Sequence, residues 1–260
     1  MSKKVILAFS GGLDTSFCVP YLIDQGYEVH TLFVNTGGIS AKEELAITKR
    51  ANELGAKKHI NLNVEKSLWS EILIPLVQSG ALYQNKYPAL CSDRYLIVKE
   101  SIKLCKKLNT NNIAHGCTGM GNDQIRFDLS IRAHGKYNII TPIREIQNIT
   151  KNVRAYEEDY LRDKGFKVSS LNKKYSINEN LMGATISGSE IDEWKEPSSE
   201  SFVLCKLPHQ YPKKSKTLKI KFLKGKVISI LEGGYDLSLI HISEPTRLLS
   251  IAYAVFCLKK

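Results

Sequence analysis

Val5-Ile6-Leu7-Ala8-Phe9-Ser10-Gly11-Gly12-Leu13-Asp14-Thr15-Ser16 is the stretch whose reading decides the fold. An apolar run rich in β-branched and aromatic residues predicts a buried strand, two glycines predict a tight loop, and a helical pattern opens at Thr15. Glycines let backbone approach a ligand closely, and unpaired amides at a helix start attract an anion, so a phosphate is expected there. Ser10, Thr15 and Ser16 add hydroxyls, and Asp14 is the candidate ligand for a Mg²⁺ bridging phosphate oxygens. The stretch lacks the lysine of G-x-x-x-x-G-K-[ST] and the third glycine of G-x-G-x-x-G, which excludes the P-loop and the dinucleotide fingerprint. The bland alternative is an ordinary Gly-Gly turn.

Working outward, residues 15–25 predict a helix closing at Gly26, with Pro20 ending its first turn or kinking it. Residues 28–34 read as a second strand, and Ser40 with Glu43 forms a capping box for a helix ending at Gly55. A strand over 58–62 and a helix over 64–76 follow, then an irregular stretch from Gly80 to Asp93. Val98, Ile102 and Cys105 lie at helical spacing in a helix ending near Asn109, residues 112–115 form a short strand, residues 138–143 another, and residues 152–164 a charged helix. Strands alternating with helices predict an α/β fold, a doubly wound, mostly parallel sheet whose ligands sit outside the carboxyl ends of the strands.

A second polar cluster leaves the strand at 112–115: Gly116-Cys117-Thr118-Gly119-Met120-Gly121-Asn122-Asp123-Gln124-Ile125-Arg126-Phe127. Its groups suit a zwitterionic amino acid, with Asp123 for the ammonium and Asn122 and Arg126 for carboxylate or ureido oxygens. The competing reading is a glycine-rich loop whose polar groups cap their own backbone. Past Val168 the texture changes: residues 173–185 are polar and loop-like, residues 196–201 resemble a connector, and strand-like runs at 201–204, 217–222 and 227–230 predict the start of a second, α+β domain. The expected division is a nucleotide-binding domain at 1–167, an incomplete second domain at 168–236, and a tail at 237–260 that reads as foreign to the rest.

The 260 residues are 43% hydrophobic and 24% charged, ordinary globular composition. A net charge of +11 favours anionic partners without choosing among ATP, a dicarboxylate or RNA, and lysines scattered through many segments read as solvated surface, which weighs against nucleic acid. The five apolar residues that precede Ser10 are too few for a signal-peptide core or a membrane span, so a cytoplasmic protein without membrane attachment is expected. Six cysteines without a C-x-x-C pair suit a reducing compartment.

The first stretch resembles the S-G-G-x-D-[TS]-S loop of ATP pyrophosphatases. Followed about a hundred residues later by H-G-x-T-G-x-G-N-D-Q-x-R-F, it is similar to argininosuccinate synthase, a family on the adenine nucleotide alpha hydrolase-like fold. Tyr83, Tyr87 and Ser92, and Tyr175-Ser176 with Glu179-Asn180-Leu181, support the match, which covers about residues 3–235. The resemblance implies a cytoplasmic ligase of arginine biosynthesis. Citrulline's ureido oxygen attacks the α-phosphate of ATP, releasing pyrophosphate, and the amine of aspartate then displaces AMP. It places ATP contacts on Ala8, Phe9, Ser10, Gly11, Gly12, Leu13, Asp14, Thr15 and Ser16, on Val34 and on Gly116. It places aspartate on Thr118, Asn122 and Asp123, and citrulline on Tyr87, Ser92, Asn122, Arg126, Ser176 and Thr185. Asp14, Asp123 and Arg126 are the residues expected to carry the chemistry.

The sequence departs from the family at Cys91-Ser92-Asp93-Arg94-Tyr95, which replaces G-T-S-L-A-R-P, at Met120, where lysine is common, and at Thr185, where serine is usual. Family members run beyond this length, so a C-terminally truncated synthase is expected, without the segment used for the family's homotetramer and with its turnover in question. Two rivals remain: a tRNA-modifying ATP pyrophosphatase, which in a thiolase needs a reactive cysteine pair such as Cys91 and Cys117, and an inactive fragment that only binds nucleotide.

Overall fold

Val5, Ile6 and Leu7 have no solvent exposure, and they form the middle of strand β1 (Lys3–Ala8), which lies at the centre of the sheet. The computed structural model describes residues 3–82, 90–119, 121–168, 175–188 and 194–211. These fall into two units, one comprising 3–72 and 91–168, the other 73–82, 90, 175–188 and 194–211.

In the first unit β1 leads through α1 (Leu13–Asp24) to β2 (Tyr27–Asn35), and α2 (Ala41–Glu53) leads to β3 (Lys58–Asn63). The chain then continues through α3 (Glu65–Ser67) and a π-helical stretch. After α5 (Asp93–Leu108) come β4 (Asn112–His115), α6 (Asn122–Ala133), β5 (Asn138–Ile140), α7 (Pro142–Gln147) and α8 (Val153–Asp163). The strand order is β3-β2-β1-β4-β5 and every pairing is parallel. The chain therefore winds outward from β1 in one direction, returns, and winds outward in the other. Strand order reverses between β1 and β4, which leaves a crevice at their carboxyl ends.

Alternation along β1 sorts the layers. Val5 and Leu7 face a core made with Phe17, Cys18 and Leu22 of α1, Ala51 of α2, Ile143 and Ile146 of α7 and Leu161 of α8. Ile6, between them, faces the other way, and α5 packs against β1, β2 and β4. Helices on both faces confirm the doubly wound sheet.

Several boundaries move. Pro20 sits buried inside α1 without ending it. The strand expected at 138–143 stops at Ile140, because Pro142 has no N–H for a ladder and instead opens α7 at its first turn. The helix expected over 64–76 is broken into α3, π-helical Leu68–Leu73 and α4 (Ile74–Ser79).

In the second unit the part of 173–185 expected to be loop proves to be a hairpin, β6 (Ser176–Asn180) against β7 (Gly183–Ser187), antiparallel. Its polar strands carry little hydrophobic signal; the turn is set by Asn180, whose Oδ1 accepts the Met182 N–H at 2.8 Å, and by Gly183 at φ 138°. Residues 201–204 form no strand, following a short 3₁₀ turn at Ser199–Ser201. The runs at 217–222 and 227–230 and the tail at 237–260 lie outside the described residues. Among the described residues no helix is long and apolar enough to cross a membrane.

The capping box of α2 is present in both directions: Ser40 Oγ accepts the Glu43 N–H at 3.3 Å, and Glu43 Oε2 accepts the Ser40 N–H at 2.7 Å. Ser40→Ala is expected to cost about 1 kcal/mol of stability, read as a lower urea midpoint with an unchanged denaturant slope.

Candidate nucleotide and amino-acid site

The loop after β1 is braced by its own hydroxyls. Thr15 Oγ1 accepts the Ser10 N–H at 3.3 Å and lies 3.1 Å from Ser10 Oγ, which accepts the Gly12 N–H at 3.4 Å. Gly12 caps α1 with extended backbone and no side-chain bond, leaving the N–H groups of the first turn directed out of the helix end. Gly11 has φ +77°, and a Cβ there would stand 3.0 Å from Ile47 Cγ1, so both conformation and space demand glycine. Ser16 Oγ accepts from Arg50 Nε at 3.3 Å, which brings a guanidinium from α2 to the loop. Sequence reading missed Arg50, since nothing in a helix pattern says which lysine or arginine turns toward the glycines.

A second missed residue is Glu157 of α8, only 1% exposed. Its carboxyl shares a hydrogen bond with Asp14, and burial, reinforced by the charge of Asp14, pushes it up to about 9. Burial likewise raises the Asp14 carboxyl, although part of that residue is open to solvent; bonds to its own backbone and to Glu157 and the charge of Arg154 oppose the rise. Glu157 Oε1 has no hydrogen-bond partner. An orphaned buried oxygen beside a second carboxylate is a donor set suited to a hard, oxygen-binding cation such as Mg²⁺. Among the described residues no cluster of three or more metal-ligating side chains exists. Mg²⁺ typically takes one or two carboxylates, completing its shell with water and phosphate oxygens, so the pair fits it.

The second cluster begins as a loop and ends as a helix. His115, 1% exposed, accepts the Cys117 N–H on Nδ1 at 3.3 Å, which leaves Nε2 to donate to Asp128 Oδ1 at 3.0 Å. Burial lowers the histidine's proton affinity, while the hydrogen bond and charge of Asp128 oppose that shift. Arg144 of α7 grips both oxygens of Asp128 at 2.9 and 3.0 Å, and Gln147 Oε1 accepts the Gly119 N–H at 2.7 Å. Burial alone would raise the Asp128 carboxyl, but the bonds and charges of His115 and Arg144 hold it well below the ordinary carboxylate range. Asn122, Asp123 and Arg126 then occupy the exposed or half-buried first turns of α6. Arg126 Nη1 donates to Asp123 Oδ1 at 2.8 Å.

The two loops meet. A Cβ on Gly116 would lie 3.1 Å from Thr15 Cγ2 and 3.4 Å from Asp14 Cβ, and Ala8 and His115 are register partners at the ends of β1 and β4. The structure thus brings Ala8, Phe9, Ser10, Gly11, Gly12, Leu13, Asp14, Thr15 and Ser16 beside Gly116, with Thr118 on the same loop and Asn122, Asp123 and Arg126 on the helix it enters. Val34 lies near the end of β2, which neighbours β1, and Ser92 is buried just before α5. Ser176 and Thr185 belong to the second unit, where the hairpin register puts them on one face: Thr185 pairs with Asn178, two residues from Ser176. Tyr83, Tyr87 and Met120 lie outside the described residues.

The Arginosuccinate synthase N-terminal HUP domain matches residues 4–166. The chain belongs to the argininosuccinate synthase family. It is 49% identical over 229 residues to the argininosuccinate synthase of Xanthomonas campestris pv. campestris, covering 88% of this chain and 58% of that protein. The Xanthomonas axonopodis pv. citri protein is 48% identical over 88% of this chain and 56% of its own length, and that of Methanocaldococcus jannaschii 34% identical over 88% and 58%. The chain therefore spans less than three fifths of these family members, and the domain that carries both glycine loops falls inside the matched part.

Gly11→Ala is expected to lower stability by about 1–2 kcal/mol in urea denaturation, from left-handed backbone strain and the contact with Ile47. Asp128→Asn is expected to cost about 1–2 kcal/mol at neutral pH, a figure discounted for partial exposure. Because the Asp128 carboxyl is depressed in the folded state, its contribution is full above the unfolded value near ~4 and lost as pH falls through the folded one. The stability gap between wild type and Asp128→Asn is therefore expected to narrow as urea midpoints are followed into acid.

Proposed function

We propose that this chain binds ATP in the crevice between the β1 and β4 loops and acts in arginine biosynthesis as the nucleotide-binding part of a ligase that joins citrulline to aspartate, forming a C–N bond with release of AMP and pyrophosphate. The observation that carries the reading is the contact between Gly116 and the Asp14-Thr15 turn, which sets an anion-binding helix end beside a helix bearing Asn122, Asp123 and Arg126. In this reading the amides and hydroxyls from Ser10 to Ser16 hold the phosphates of ATP, here a substrate, with Ala8, Phe9, Val34 and Gly116 along the nucleotide. Thr118, Asn122 and Asp123 receive aspartate; Ser92, Asn122 and Arg126 receive citrulline.

The ureido oxygen of citrulline attacks the α-phosphorus, and the bond from that phosphorus to the bridging oxygen breaks as pyrophosphate leaves. The amine of aspartate then attacks the activated ureido carbon, loses a proton, and AMP departs. No protein nucleophile is needed. Arg50 and the end of α1 offset phosphate charge, Arg126 orients an anionic or ureido oxygen, and Asp123 receives an ammonium. Asp14 with Glu157 would hold a Mg²⁺, which neutralises phosphate charge when bound. A thiolase-type reaction on tRNA is disfavoured, because burial first, and then the charge of Asp123, push the Cys117 thiol up to about 12 and leave no thiolate near neutral pH.

The test is a nucleotide assay on this chain. ATP with Mg²⁺ is expected to raise Tm, and AMP formation is expected to require citrulline and aspartate together. Asp14→Asn and Arg126→Ala are each expected to lower kcat/KM on the order of 10²-fold. Protection by ATP without AMP formation would leave a nucleotide-binding piece alone, and retention of tRNA at low salt would favour the RNA reading.

A further inference from the structure

Asp93 and Arg94 open α5, and the structure gives them a common task. Arg94 is 8% exposed and Asp93 2% exposed, at the very start of α5. Burying charges is costly unless they are paired and hydrogen-bonded, and these are. Arg94 Nη1 donates to both oxygens of Asp93 at 3.0 Å, while its Nε and Nη2 both donate to Asp123 Oδ2 at 3.1 Å. The other oxygen of Asp123 accepts from Arg126 at 2.8 Å. At the far end Thr36 Oγ1, in the loop leaving β2, donates to Asp93 Oδ2 at 3.3 Å. An unbroken line of alternating charge thus runs from the loop after β2, through the start of α5, to the first turn of α6.

We propose that Arg94, held by Asp93, is the positioning residue of the amino-acid pocket: it fixes the Asp123 carboxylate and, through it, the guanidinium of Arg126. The inference rests on the reading of Asp123 and Arg126 as substrate groups. The planar guanidinium is essential to it. Two parallel N–H bonds on one carboxylate oxygen, with a third N–H on a second carboxylate, need the rigid fork of arginine; a lysine ammonium keeps the charge but not the geometry. With Arg94 in place Asp123 has one oxygen on each arginine, so it cannot rotate away when an ammonium approaches, and Arg126 presents its remaining N–H groups in one orientation. The nucleotide loop lies outside this line, since no bond in it reaches Ser10 to Ser16.

The experiment compares wild type, Arg94→Lys and Thr36→Val by calorimetric titration with citrulline and with aspartate, each in the presence of ATP and Mg²⁺, alongside the Tm rise produced by ATP and Mg²⁺ alone. Arg94→Lys is expected to weaken amino-acid binding about tenfold while ATP protection stays at the wild-type level. Thr36→Val leaves every charge in place and loosens only the outer bond, so it is expected to fold normally and weaken amino-acid binding by a smaller factor. Unchanged amino-acid affinity in both variants overturns the proposal. Loss of ATP protection together with amino-acid binding in Thr36→Val also overturns it, because the line then serves only to hold the fold. A wild-type chain that is protected by ATP yet binds neither amino acid sinks the substrate reading itself, and this inference with it, a result distinct from wild-type binding that the variants leave untouched.

Discussion

The contact between the backbone of Gly116 and the Asp14-Thr15 turn is the constraint on which the rest of the first unit depends. It exists because β1 and β4 are adjacent and parallel, so both chains leave the sheet at the same end, and because strand order reverses there, so no helix fills the gap. A side chain at Gly116 would stand 3.1 Å from Thr15 Cγ2 and 3.4 Å from the Thr15 amide, so the Asp14-Thr15 turn would have to give by a few tenths of an ångström. Close approach of two backbones at a helix end makes the crevice both narrow and rich in N–H donors.

Around that contact the polar groups are held by partners from several elements. Arg50 arrives from α2, Glu157 from α8, Arg144 and Gln147 from α7, and Arg94 from α5. Arg144 reaches the second turn of α6 and the others a loop or a first helical turn, and each is carried on a helix. In the proposed reading, fixed amides and hydroxyls would meet phosphate charge and paired charges would orient an amino acid. Burial strengthens the Asp93–Arg94 pairing, since bonds between charged groups gain when water is excluded.

Local satisfaction is incomplete at the Asp14–Glu157 pair, as it is at Arg144 Nε and His30 Nδ1. One oxygen of the buried Glu157 carboxyl, which is hydrogen-bonded to Asp14, lacks a partner. Native proteins leave few such atoms unsatisfied, and here the cost falls at the place where a cation would remove it. The same pair explains why Asp14, read from the sequence as a lone ligand candidate, is better understood with its neighbour.

Much of this was legible in the chain itself. The apolar run before Gly11-Gly12, the Ser40 and Glu43 box and the alternation of strand and helix are local signals, set by side-chain period and capping within a dozen residues, and they sufficed for a parallel α/β sheet and for both glycine loops. The family resemblance rested on those same two motifs. Tertiary structure alone decided the order β3-β2-β1-β4-β5, the meeting of Gly116 with Thr15, and the partners Arg50, Arg94, Asp128 and Glu157, because each of these joins residues distant in sequence whose local pattern is that of any charged helix. It also decided that polar residues 176–187 form a hairpin and that Pro142 opens a helix: in the first case hydrogen bonding across strands outweighed a weak hydrophobic pattern, and in the second a missing N–H outweighed a strong one.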